Sequence, residues 1–324
     1  MNELIEKIIP KAKGKRVVIA EGWDERVLQA TKEIVDGNIC QITLLGKEDE
    51  IKEKAEKIGL DISKVTIIDW KNSDNKEEYA KQLYELRKHK GMTEEDALKL
   101  IEDENYFGAM MVKLGDADAL CGSCICPTAN LMRPALQIFK TAEGSKLVNE
   151  VMVWEDTETK KVYFTTDSSL NISPDEEGLA QMAINASHCA KNFGVEPKVA
   201  LLSFSTKGSG GKCPFVDLIL EALKIVKERE PSLIIDGELQ FDAAINPDSA
   251  KRKCPDSPLK GDANVLVFPD LNSSNIAAHS WAQISRFKWL FSSMQGIGKA
   301  LTIYGRSSDA ELIKNQTIMA ASES

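Results

Sequence analysis

Short apolar runs alternate with longer stretches of helical period through the first third of the chain. Residues 16–20 and 41–45 predict strands, residues 26–35 and 47–58 the helices that follow them, and 65–68 another buried strand. Tyr79, Leu83 and Leu86 recur at helical spacing within 76–90, and Thr93 is placed to cap a helix over 93–101. Continuous apolar strands separated by helices are the mark of a parallel sheet with crossover helices, so the fold class is α/β.

Further along, residues 148–154 and 161–165 read as two strands around a polar turn at 155–160. Ser173-Pro-Asp-Glu-Glu177 predicts the start of a helix running to Asn192, with Pro174 at its first position and acids in the first turn. Residues 199–202, 233–235 and 265–268 supply further strands. Glu143-Gly-Ser145 marks a boundary between two domains, and 324 residues suffice for both.

The strand at 199–202 runs into Ser203-Phe-Ser-Thr-Lys-Gly-Ser-Gly-Gly-Lys212, a loop dense in hydroxyls, glycines and lysines. Glycine lets backbone N–H groups approach a ligand, hydroxyls are neutral donors and lysines carry charge, so the loop reads as an anion cradle. The same composition also fits a flexible surface turn. A nucleotide phosphate loop is disfavoured, because Thr206 and Cys213 stand where that pattern requires Gly and Ser or Thr. No Gly-x-Gly-x-x-Gly dinucleotide fingerprint opens a strand–helix unit elsewhere.

A net charge of −9 disfavours nucleic acid or an anionic membrane as partner, so an anionic substrate needs local arginines and lysines. The N-terminal residues 1–9 read as an amphipathic helix rather than a secretory signal, and no run of about eighteen apolar residues is present. The expected location is cytoplasmic. Seven cysteines include a CxxCxC cluster at Cys121, Cys124 and Cys126, but no second closely spaced pair completes a metal knuckle and the three histidines are scattered. No metal site is expected, and reduced thiols fit better.

Arg26, Arg87 and Arg133 each sit in a polar setting suited to gripping phosphate through a planar fork, although each alone also fits a solvated surface charge. Asp236-Gly-Glu-Leu-Gln-Phe-Asp242 places carboxylates on what reads as an irregular loop after a strand, suited to acid–base work or to capping. Asp116 and Asp118 follow a helix stop at Gly115, and residues 268–275 end another strand in polar positions.

Six motifs then carry a family resemblance. Glu85-Leu-Arg-Lys-His-Lys-Gly91, Tyr106-Phe-Gly with Met110 to Asp118, Arg133-Pro-Ala-Leu-Gln137, residues 202–209, residues 235–244 and Phe268-Pro-Asp-Leu-Asn272 resemble, in order, the phosphate acetyltransferase family. The resemblance implies reversible acyl transfer between acetyl phosphate and coenzyme A, with coenzyme A, acetyl phosphate and inorganic phosphate as partners and no permanently bound cofactor. It implies two three-layer α/β domains of the isocitrate/isopropylmalate dehydrogenase kind with an interdomain cleft, here 1–144 with 297–324 and 145–296, and a homodimer. Carried over by motif, Arg26, Arg87 and Arg133 match the family's substrate-site arginines. Ser205, Thr206, Lys207, Gly208 and Ser209, with Asn272 and Ser273, become candidate substrate-binding residues.

Residues 278–306 depart from the family pattern. Where relatives carry a Tyr-Lys pair, a Gly-Pro pair and a Ser-Arg pair, this chain has Ala278-His279, Phe291-Ser292 and a segment in which only Arg306 survives. Cys126 stands where many relatives carry histidine. By resemblance Arg306 and Glu311 are the catalytic candidates; anchoring on Arg306 instead puts Leu312 in place of the proton-abstracting acid. Phosphate butyryltransferase shares the chemistry and differs in acyl pocket. A domain that binds coenzyme A or acyl phosphate with impaired catalysis is the alternative of another class.

Overall fold

A computed structural model describes residues 3–324, so the first two residues of the predicted N-terminal helix lie outside it. The chain divides into two compact units, one formed by Met1–Glu143 with Ile297–Ser324 and the other by Gly144–Gly296.

The first unit is built on a five-stranded parallel sheet in the order β11-β4-β1-β2-β3. Its strands are β1 (Arg16–Ile19), β2 (Gln41–Leu45), β3 (Thr66–Ile68), β4 (Ala119–Gly122) and β11 (Ala300–Ile303). Central β1 and β4 are buried almost without break, as strands covered on both faces must be. The covering helices are α1 (Glu3–Ala12), α2 (Glu25–Asp36), α3 (Glu48–Ile58), α4 (Lys76–Arg87), α5 (Glu94–Leu100), α6 (Glu104–Leu114), α7 (Thr128–Ile138) and α13 (Ala310–Glu323). The predicted helix over 76–90 stops as an α-helix at Arg87, and a tighter turn at Lys88–Lys90 ends on Gly91 at φ +84°. Thr93 caps α5 in a reciprocal capping box with Asp96.

Gly22 brings the end of β1 against β2: a Cβ there would stand 2.7 Å from Leu44 Cβ, so only glycine lets the chain pass this close. The residues on either side, Glu21 and Trp23, are thereby fixed at the strand ends.

The second unit holds a six-stranded mixed sheet in the order β10-β5-β6-β9-β7-β8. A hairpin of β5 (Asn149–Asp156) and β6 (Val162–Thr166) carries β10 (Phe287–Gln295) antiparallel on one side; β9 (Val265–Val267), β7 (Lys198–Leu202) and β8 (Ile234–Leu239) continue in parallel on the other. One face packs on α8 (Glu176–Asn192) and α9 (Pro214–Arg229). The other carries Trp154, Tyr163, Leu202 and Leu266 under α10 (Phe241–Ile245), α11 (Pro247–Lys253) and α12 (Leu271–Ile284).

Two local expectations are corrected. Helix α8 starts later than Pro174: Asp175 is the N-cap and accepts from Gly178 N–H at 2.8 Å, because a carboxylate in extended backbone reaches that orphan donor. Asp236 and Glu238 lie on β8 and not on an irregular loop, since their side chains find partners across the end of β7.

The segment that departs from the family pattern is fully folded. Trp281 packs edge-on to Trp154 at 5.6 Å and stacks on Phe287 at 4.6 Å, while buried Phe291 meets Phe193 at 5.2 Å. Tyr304, just past β11, is completely buried and its hydroxyl pairs with Thr317 Oγ1 at 2.6 Å.

Candidate functional site

Parallel strands gather the loops that follow them at one edge of a sheet, and in open α/β sheets this edge is where ligands bind. In the first unit, buried Glu21 leaves β1 and accepts from the backbone N–H groups of Cys124 (2.5 Å), Cys126 (2.7 Å) and Ile125 (3.2 Å). A carboxylate thus organises the CxxCxC loop. Burial pushes the Cys121 and Cys124 thiols far up and the Cys126 thiol, also beside Glu21, up to about 12. Among the described residues, no cluster of His, Cys, Asp and Glu is arranged to hold a metal ion.

Arg87, at the end of α4, and exposed Arg133, on α7, act on one side chain between them. Burial raises the pKa of the Tyr106 phenol, while Arg133 and Arg87 both pull it down. The Tyr106 hydroxyl donates to Gln137 Oε1 at 2.9 Å, and Arg87 Nε is buried with no protein acceptor. Both guanidiniums act on Tyr106, and the Arg87 Nε donor has no acceptor within the protein.

Glu104 opens α6 one residue before Asn105. Burial, followed by the charges of Glu21 and Asp103, pushes its carboxyl up to about 8 against a hydrogen bond from Trp23 and the pull of Lys71. Its Oε2 is buried without a partner. Burial beside other acids thus favours the protonated form of Glu104.

Arg26, on α2, is engaged within the protein. Its guanidinium donates to Asp24, to the Cys124 carbonyl at 3.0 Å, and to the Arg306 and Ser308 carbonyls at 2.9 and 3.0 Å. Arg306 itself is exposed on the loop between β11 and α13. Glu311 is exposed in the first turn of α13, whose N-cap Asp309 accepts from Leu312 N–H at 2.8 Å. Only Glu311, of the two aligned positions, offers a carboxylate.

In the second unit, the loop after β7 turns sharply at Lys207 and Gly208, both at positive φ (+49° and +87°). Its donors are directed at the protein's own acids. Glu238 Oε1 accepts from Ser205 Oγ at 2.9 Å and from Gly208 N–H at 2.7 Å, and Ser205 Oγ accepts from Gly210 N–H at 2.8 Å. Thr206 N–H donates to Ser209 Oγ, while Thr206 Oγ1 accepts from Gln240 N–H, both at 2.9 Å. Lys207 reaches Asp236 Oδ1 and the Gly237 carbonyl, leaving Asp236 Oδ2 buried and unpartnered. Exposed Asn272 and half-buried Ser273 open α12, where Ser273 N–H donates to the N-cap Asp270 at 2.8 Å.

Each unit thus presents a polar strand edge, and the chain as a whole matches a single family model, described as phosphate acetyl/butaryl transferase, over residues 1–321. The chain belongs to this acyltransferase family. As a family member it is 39% identical to the phosphate acetyltransferase of Bacillus subtilis strain 168, over 100% of this chain and 99% of that one. It is 43% identical to the phosphate acetyltransferase of Thermoanaerobacterium thermosaccharolyticum over 91% of both chains. The acyltransferase also superposes on a phosphotransacetylase from Streptococcus pyogenes with a TM-score of 0.92 and 38% identity, covering 99% of this chain and 98% of that one.

Sequence reasoning passed over Glu21, Glu104 and Tyr106 as individual residues. Glu21 gave one signal, a carboxylate directly after a buried strand. No helix among the described residues is long and apolar enough to cross a membrane.

Proposed function

We propose that this acyltransferase is a phosphate acetyltransferase, moving an acetyl group reversibly between acetyl-CoA and phosphate in a ternary complex. In the direction from acetyl phosphate, a carboxylate takes the thiol proton of coenzyme A, since a thiol of pKa about 8.5 is mostly protonated at neutral pH. The thiolate sulfur attacks the acetyl carbonyl; a C–S bond forms, the C–O bond to phosphate breaks, and phosphate departs with the electron pair. Glu311 is the proposed base and Arg306 the cation beside the developing charge. Arg87 and Arg133 are assigned to phosphate groups of the substrates. The loop of Ser205 to Ser209, with Asn272 and Ser273, is assigned to further substrate contacts. No permanently bound cofactor takes part, and a cytoplasmic homodimer is the proposed working form.

The observation that carries this reading is likeness along the whole chain to proteins named phosphate acetyltransferase. The action of both Arg87 and Arg133 on Tyr106 supports it in the first unit. The closest alternative, a butyryl specificity, is supported by the family's own description, which covers both acyl groups. Release of coenzyme A from acetyl-CoA and from butyryl-CoA with inorganic phosphate tests the assignment. A higher kcat/KM for acetyl-CoA is expected, and a strong butyryl preference would reverse the name. Binding of coenzyme A with no turnover of either would instead support the impaired domain.

A further inference from the structure

A guanidinium has five N–H groups in a fixed fork, and counting their acceptors separates a ligand-binding arginine from a structural one. Arg26 Nε donates to Asp24 Oδ1 at 3.0 Å, and Nη2 donates to Asp24 Oδ2 and the Cys124 carbonyl, both at 3.0 Å. Nη1 donates to the Arg306 carbonyl at 2.9 Å and the Ser308 carbonyl at 3.0 Å. Five donors meet five acceptor contacts.

Those acceptors belong to three different loops, following β1, β4 and β11. Asp24 also accepts from Arg26 N–H at 2.9 Å as the N-cap of α2, so the carboxylate that neutralises the guanidinium is itself fixed to the helix start. Burial favours the neutral Asp24 carboxyl, but the Arg26 bonds outweigh it and hold the group below the usual carboxylate range. Elsewhere the loop after β11 is tied at its two ends and by its own turn: Tyr304 N–H donates to the Gly122 carbonyl at 2.9 Å, Ser308 Oγ to the Tyr304 carbonyl at 2.6 Å, and Asp309 accepts from Leu312 N–H at 2.8 Å as the N-cap of α13. Between these points the backbone at Arg306 is held by Arg26.

We propose that Arg26 is a positioning residue that clasps the three strand-end loops and sets the backbone of residues 306–308 for acyl transfer, and that it does not grip substrate phosphate. Its bearing on turnover rests on the acetyltransferase reading above; the clasp itself does not. A lysine places three donors on one flexible point and cannot span the same acceptors.

The test compares Arg26→Ala, Arg26→Lys and Asp24→Asn with Arg87→Ala, in steady-state kinetics and in hydrogen–deuterium exchange of residues 122–127 and 304–309. In Arg26→Ala we expect kcat to fall about a hundredfold, as small misplacements of reacting groups do. The KM values for coenzyme A and acetyl phosphate should stay within about twofold, because binding common to ground and transition states is untouched. Exchange should accelerate in both segments, Arg26→Lys should not restore kcat, and Asp24→Asn should follow in the same direction. Arg87→Ala should raise KM and leave exchange at 304–309 unchanged. A KM rise in Arg26→Ala with kcat retained would overturn the proposal. So would unchanged exchange at 304–309, and that readout stands even if the wild type transfers no acetyl group. Should Arg26→Ala not fold, Asp24→Asn carries the same exchange criterion.

Discussion

Ser205 and Glu238 close on each other across the ends of β7 and β8: the buried hydroxyl donates to Glu238 Oε1 at 2.9 Å and accepts from Gly210 N–H at 2.8 Å. A loop whose composition suggests an anion cradle already holds an anion, the protein's own carboxylate. Ser205→Ala removes both bonds and leaves a Gly210 donor unpaired. We expect a loss of about 1–3 kcal/mol in stability, the range for a buried polar group deprived of its partner. Urea unfolding followed through tryptophan fluorescence measures it, and an unchanged midpoint would show that the loop does not depend on this hydroxyl.

Glu104 makes stability fall as pH rises. Its carboxyl, pushed up to about 8 by burial and by Glu21, binds a proton in the folded chain across the range from its ordinary value of 4.5 to about 8, where the unfolded chain has released it. The folded state then holds more protons, so unfolding becomes easier with increasing pH through that window. Glu104→Gln should remove this dependence, unfolding harder than the wild type at pH 8.5, by at most about 5 kcal/mol at full linkage, and nearly alike at pH 4.5. Thermal melts of both proteins at the two pH values are decisive; a Gln variant equally destabilised at both would refute the ionisation argument.

Cys126 should resist alkylation. Burial and the neighbouring Glu21 push its thiol up to about 12, and the thiolate is the reactive form. Iodoacetamide at pH 7.5 should leave Cys126 unmodified in the native protein and modify it on unfolding, as read by peptide mass spectrometry. Rapid native labelling would contradict the assigned environment.

Tyr304 tests whether the divergent segment contributes to the core. Tyr304→Phe keeps the ring but leaves Thr317 Oγ1 without the phenol at 2.6 Å, and should cost about 1 kcal/mol. Tyr304→Ala empties a completely buried aromatic site and should cost about 3–5 kcal/mol. Equilibrium unfolding distinguishes the two, and equal losses would mean that the hydroxyl rather than the ring matters.

The elements legible in the sequence were those whose local signals agree with their surroundings. Residues 41–45 and 199–202 are apolar strands between helices, and the Thr93 box declares the start of α5. Strand β4 gives little local signal, because Ala119-Leu-Cys-Gly122 is four residues long and contains glycine; β11 is equally short. The long β10 mixes Lys288 and serines with aromatics, a pattern that suits an outer strand with β5 on one side. Asp236 and Glu238 have low strand propensity, which cross-strand contacts with Lys207 and Ser205 override. Arg87 and Arg133 were recognisable as candidates from their motifs, whereas the acceptors around Arg26 come from loops about 100 and 280 positions away and no local pattern announces them.

The first unit has its chain in two pieces, ending at Glu143 and resuming at Ile297. Strand β11 supplies the pairing for the free side of β4, and α13 covers it with Ile313, Ile318 and Met319 while packing on α1 and α2. On the ribosome, all strands of the second unit are made before either of these elements emerges. The unit begun first is therefore the one finished last, with the edge of β4 unpaired in the interval. Translation order and domain order run in opposite directions in this chain, so its exposure to aggregation and proteolysis lasts until β11 and α13 have been made.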